Sequence, residues 1–191
     1  MLADNVTARF GAVARLLHWL IALLIILQFV LAELAEEAGA ARKTDPGAAM
    51  EQLMLMARHK SFGITILLLA VVRLAWRLRY APPPWPPTMP RWQIKAALVT
   101  HWAFYALLFL LPISGWLASS AENYPVSWFG LIQLPDFIGP DEAIAHDLEE
   151  LHETLFGVLV ALAALHVIAA LKHHFLDHDD VLKRMLPWPT K

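Results

Sequence analysis

Four apolar stretches organise the chain, at about residues 15–34, 58–78, 93–119 and 148–174. Each holds roughly 20 or more mostly apolar residues, the length a helix needs to cross ~30 Å of hydrocarbon. A backbone in lipid must satisfy its own hydrogen bonds, so each stretch predicts a transmembrane helix. The polar links between them differ in kind. Residues 36–57 carry Thr44-Asp45-Pro46-Gly47, a turn and helix-start signal, followed by a short Met-rich amphipathic stretch. Residues 81–90 read APPPWPPTMP, which excludes helix. Residues 120–147 form the longest link, rich in aromatics and acids and broken by Pro125, Pro135 and Pro140. Pro112 lies inside the third stretch and predicts a kink there.

The fold expected is all-α: one four-helix transmembrane bundle over residues 1–191, with no room for a second domain. The 58% apolar content agrees with that, and the net charge of −2 gives no reason to expect a nucleic-acid partner. The first apolar run is too long for a signal-peptide core and lacks an A-x-A site, so it reads as a retained span. Lys and Arg set the orientation. Eleven of the fifteen fall before the first span, around the second link or after the fourth span; Arg42, Lys43, Arg58 and Lys60 fall on the opposite side. The positive-inside rule then puts both termini in the cytoplasm, with lipid as surroundings.

Histidine supplies the chemistry. His18 opens the first span, His59 the second, and His152 and His166 both lie on the fourth. Ionisable side chains in lipid are costly and mark function. Orientation fixes depth: His18 and His166 fall near the inner face, His59 and His152 near the outer. His152 and His166 are 14 residues apart, roughly 21 Å along a helix and within about 40° of one face. Two pairs at two levels suit two metal groups. Zinc would want about four ligands at one point, whereas two imidazoles per level suit haem iron. No cysteine is present, so haem would be b-type and non-covalent. Two axial histidines leave no open iron position, which suits electron transfer. Any one of these histidines read alone is more readily a hydrogen-bonding residue of a bundle interior than a metal ligand; four at paired depths reverse that.

Other residues carry weaker signals. Arg73 lies 14 residues after His59 and so at the inner level, where a haem propionate or the inner headgroups would accept its charge. His101, next to Trp102, reads first as an interfacial pair, with a propionate or quinone contact as the functional alternative. His173, His174 and His178 read as interfacial groups at a helix C-terminus, and His146 as solvated in the outer link.

The segments RLLHW at 15–19, RHKSFG at 58–63, VVRLAWRL at 71–78, LPISGW at 111–116, LHETLFG at 151–157 and ALHVIAALKHHF at 164–175 touch all four spans. In them the chain resembles the bacterial cytochrome b561 family, itself similar to the b-type cytochrome subunits of nickel–iron hydrogenases. The resemblance implies a dihaem membrane cytochrome with His18, His59, His152 and His166 as ligands. It also implies electron exchange with quinone, ubiquinone above all, and a small-molecule or protein donor at the outer face. One activity in the family is superoxide oxidation. Arg42, Lys43, Arg58 and Lys60 would draw that anion, while the eight acids and absent Lys and Arg between residues 119 and 153 would repel it. The alternative is an anchor subunit that passes electrons from a separate dehydrogenase or hydrogenase to quinone. A haem-free transporter fits less well, since no broken repeat or mid-membrane acid appears.

Overall fold

The computed structural model describes residues 9–186. Four long helices dominate: α1 (Ala12–Ala41), α2 (Ala48–Arg79), α3 (Arg91–Ala121) and α4 (Glu142–Phe175). A two-stranded hairpin, β1 (Ser127–Trp128) and β2 (Ile132–Gln133), sits between α3 and α4, and a short α5 (Val181–Met185) closes the described chain. All four long helices have the length and hydropathy of membrane spans.

The helices outrun the apolar stretches at the end away from the termini. At 30 to 34 residues they exceed the roughly 20 that hydrocarbon requires. Hydropathy registers only the lipid-facing part. Glu36 and Glu37 continue α1, and the Met-rich stretch is the first part of α2 rather than a separate element. Residues 42–47 alone make the turn, where Asp45 Oδ1 accepts the Gly47 N–H at 2.7 Å. In α4 the start comes at Glu142 because Asp141 caps it, its Oδ1 accepting the N–H groups of Ala143 and Ile144 at 3.0 and 3.1 Å. Helix α3 runs through Pro112 unbroken.

Packing is uneven. Helix α1 lies closely along α2, α3 along α4, and α2 touches α3. Ile21, Ile66, Ala70 and Leu108 form one core cluster; Leu31, Ala35, Ala38 and Leu55 form another where α1 and α2 extend together. Small residues let the backbones approach. A Cβ on Gly39 would stand 2.7 Å from Gln52 Nε2. By contrast, α4 has its extensive contacts with α3 and stands off from α1 and α2.

Both ends of the described chain meet at one end of the bundle, the terminal end. Arg9 and Arg15 donate to the Leu186 carbonyl at 2.7 and 2.9 Å, Trp19 Nε1 to the Met185 carbonyl at 2.8 Å, and Arg184 to the Pro84 carbonyl at 2.6 Å. The opposite, distal end carries the hairpin. Ser61 on α2 donates to the Ser127 carbonyl at 3.1 Å and accepts the Phe129 N–H at 3.0 Å, and Trp128 Nε1 donates to Thr65 Oγ1 at 3.1 Å.

Candidate haem sites

Each histidine pair joins α4 to a different helix. At the terminal end His18 of α1 faces His166 of α4, ring centres 6.3 Å apart and planes at 65°. At the distal end His59 of α2 faces His152 of α4 with the centres again at 6.3 Å and the planes at 68°. The 14 residues between His152 and His166 turn both rings to one face of α4, roughly 21 Å apart.

This spacing would suit two ligands on opposite sides of one ion. Two metal–imidazole bonds of about 2.0 Å, with each ring centre about 1.15 Å beyond its nitrogen, put the centres roughly 6.3 Å apart. Direct contact of the rings would serve no hydrogen bond. A four-ligand protein site is built at neither pair. Among the described residues, the cluster of three ligand-type side chains within common reach is His173, Asp177 and Asp179, at the end of α4.

Surrounding oxygens fix the distal rings. His152 Nδ1 lies 3.0 Å from the Leu111 carbonyl oxygen and 3.0 Å from Ser114 Oγ, on α3. A carbonyl only accepts, so Nδ1 carries the proton and Nε2 keeps its lone pair for a metal. His59 Nδ1 stands 3.3 Å from the Gln28 carbonyl on α1, with the same consequence. Gly115 makes room beside His152: a Cβ there would fall 3.0 Å from its Cε1.

The terminal-end pair has different company. Arg73 donates to the Ala14 carbonyl at 3.1 Å and stands 3.4 Å from His18 Nδ1. His101 is not a peripheral partner of Trp102. Its ring centre is 5.9 Å from that of His166, and its buried Nδ1 has no hydrogen-bond partner among the described residues. A haem propionate is an acceptor of the kind this nitrogen lacks. The separation is shorter than two axial bonds require, so His18 rather than His101 matches the geometry of the distal pair. The helical stripe His101, Tyr105, Leu108 was the available signal, since Tyr105 and Leu108 are buried core residues.

Other histidines also depart from expectation. His173 is buried rather than interfacial, its Nδ1 donating to Asp179 at 2.6 Å. His146 lies in α4, not in a link, and is exposed with Glu150 at 3.4 Å. Outside the spans at the distal end, the Glu122 carboxyl is pushed up by burial and by Glu149, against the pull of Lys60. Lys60 in turn lies over the Tyr124 ring at 5.4 Å.

Comparison with known proteins agrees with this architecture. The family model for prokaryotic cytochrome b561 matches residues 9–188. The chain is 36% identical to cytochrome b561 homolog 2 of Escherichia coli (strain K12), over 95% of this chain and 93% of that protein. It is 30% identical to cytochrome b561 homolog 1 of the same strain, over 94% and 97%. It is 33% identical to a protein of Yersinia pestis named probable superoxide oxidase CybB, over 90% and 92%. The histidine-bearing four-helix membrane protein described above therefore belongs to the prokaryotic cytochrome b561 family, whose members are bacterial membrane electron-transfer proteins with b-type haem.

Proposed function

We propose that the chain holds two b haems, one on His18 and His166 and one on His59 and His152, and links an outer-face donor to membrane quinone. The observation that carries this reading is the repeated geometry, 6.3 Å and a 65° or 68° crossing at both levels of α4. A bound b haem would supply reversible one-electron chemistry, and two histidine imidazoles on its iron would leave no vacant ligand position. The chain's own groups do the rest. The Gln28 and Leu111 carbonyls orient the distal rings, and Arg73 with His101 offers donors to carboxylate groups at the terminal end. Among the described residues, ten of the fourteen Lys and Arg lie toward the terminal end, which supports a cytoplasmic position for both termini in the inner membrane.

Superoxide as donor is favoured by the 33% identity to the Yersinia protein named probable superoxide oxidase CybB and by Arg58 and Lys60 flanking His59; ubiquinone as acceptor is taken from the family resemblance. A second reading, an anchor for a separate dehydrogenase or hydrogenase subunit, is favoured by the distal surface. A cleft of about 570 Å³ there is lined by Glu122, Asp141, Glu142 and Glu149, and its charge fits a cationic protein donor. Haem content and quinone reduction test these readings. The purified chain should carry two b haems, and His166→Ala one. Given superoxide, it should reduce ubiquinone without a partner; two haems with no such reduction would favour the anchor. A wild-type chain with fewer than two haems would end the dihaem reading.

A further inference from the structure

The two histidine pairs lie in opposite electrostatic surroundings. At the distal pair both Nδ1–H groups face oxygen. His59 meets the Gln28 carbonyl, and His152 meets the Leu111 carbonyl and Ser114 Oγ. Glu149 and Glu153, one turn before and one residue after His152 on α4, add negative charge; the Lys60 cation acts on His59 but is itself offset by Glu122. At the terminal-end pair a guanidinium stands 3.4 Å from His18 Nδ1, with Arg77 acting on the adjoining His101 ring. No carboxylate acts on His18 or His166 there among the described residues.

We infer that this chain makes the terminal-end position the more readily reduced of the two, with Arg73 and Ser114 as the positioning residues that set the difference. The inference rests on the dihaem reading and adds an order to it. Oxygen acceptors on Nδ1 make an imidazole a stronger donor and stabilise the ferric ion. A fixed cation beside the ring opposes the extra positive charge of the ferric state and favours the ferrous one. Both effects act in the same direction, lowering the distal potential and raising the terminal-end one. A carboxylate paired with Arg73 offsets part of its charge; Arg77 remains on the same side. The slope so built runs from the acid-rich end of the bundle to the end that carries the chain termini.

Redox titration of the purified two-haem protein, followed in the visible spectrum, tests this. His152→Ala and His166→Ala each leave one haem and so assign the two components. The higher-potential component should be the one retained in His152→Ala. Arg73→Leu should lower that component by about tenfold in its one-electron equilibrium, about 59 mV, and leave the other nearly in place. Ser114→Ala should raise the distal component alone. Arg73→Lys keeps the charge and should keep the order, which preserves the test where the leucine variant fails to accumulate. A higher-potential distal component, or equal shifts of both components in Arg73→Leu, would overturn the inference while leaving two haems per chain intact. Fewer than two haems in the wild-type chain would overturn the dihaem reading and this inference with it.

Discussion

Gly115 offers the sharpest test of the distal site, because its role reduces to a distance. A Cβ at this position would stand 3.0 Å from His152 Cε1 and 3.1 Å from Nδ1. Carbon atoms settle at about 3.5–4.0 Å, so the ring must retreat by roughly 0.5 Å or α3 must separate from α4. Neither is easy. The ring is held by hydrogen-bond contacts of 3.0 Å to Leu111 and Ser114, and α3 is the helix along which α4 packs. Metal–ligand distances tolerate only about ±0.2 Å. Overpacking of this kind costs about 1–3 kcal/mol, which if charged to haem affinity weakens it roughly 5- to 150-fold.

Gly115→Ala should therefore retain a distal haem of altered spectrum and reduced occupancy under dilution, and Gly115→Leu should lose it. The assay is the haem-to-protein ratio by pyridine haemochromogen, with circular dichroism confirming helix content. Combining Gly115→Leu with His166→Ala should leave no haem, because the two changes strike different pairs. A Gly115→Leu protein with two haems and an unchanged spectrum would refute the packing argument. Loss of the terminal-end haem instead would refute the assignment of levels.

His101→Ala should keep two haems, read by the same ratio; loss of one would make His101, not His18, the partner of His166. Ser61→Ala removes the contacts to the Ser127 carbonyl and the Phe129 N–H. It should loosen the hairpin by about 1–3 kcal/mol, seen as faster hydrogen exchange over residues 126–134 with haem content unchanged. The Asp177 carboxyl is held below its ordinary value chiefly by its hydrogen bond from Lys172. A depressed carboxylate contributes stability above its unfolded pKa of about 3.9 and loses it as pH falls through the folded value. Hydrogen exchange over residues 177–185 should accordingly quicken below about pH 4, and Asp177→Asn should remove that dependence.

The four helices were legible in sequence because the requirement for uninterrupted apolar length is absolute in lipid. Their ends were not, because helix continues wherever caps and neighbours allow. Asp141 starts α4 well before its apolar stretch, and the Met-rich stretch of α2 is helical, with Leu55 in its midst packed in one cluster with Ala35 and Ala38 of α1. The hairpin escaped notice for a related reason. Its strands are two residues long, and its anchors are side chains of Ser61 and Thr65 far away in sequence. Which histidines would meet followed from orientation and depth alone, and His18 does adjoin His166 and His59 does adjoin His152. Depth also put His101 at the right level. The rotation of α3 about its axis was missing, and the burial of Tyr105 and Leu108 supplies it.

Dividing the two pairs between α4 and the α1–α2 hairpin has a mechanical consequence. Helix α4 contributes one ring to each pair, whereas α1 and α2 contribute one each, so a rotation of α4 would misalign both pairs together. Little of α4 is buried in the chain: Ala145, Leu159 and His173 are its buried residues. Its orientation comes from packing along α3 and from a few fixed points. Asp141 fixes the distal start, the Leu111–Ser114 contact fixes the ring at His152, and His173 bonded to Asp179 fixes the terminal end. His152 lies between those end points, and His166 lies seven residues before His173, about two turns away and near the same face. The His173–Asp179 bond thus acts as the terminal-end counterpart of the Leu111–Ser114 contact, adding to the hold that packing along α3 gives the rotation of α4.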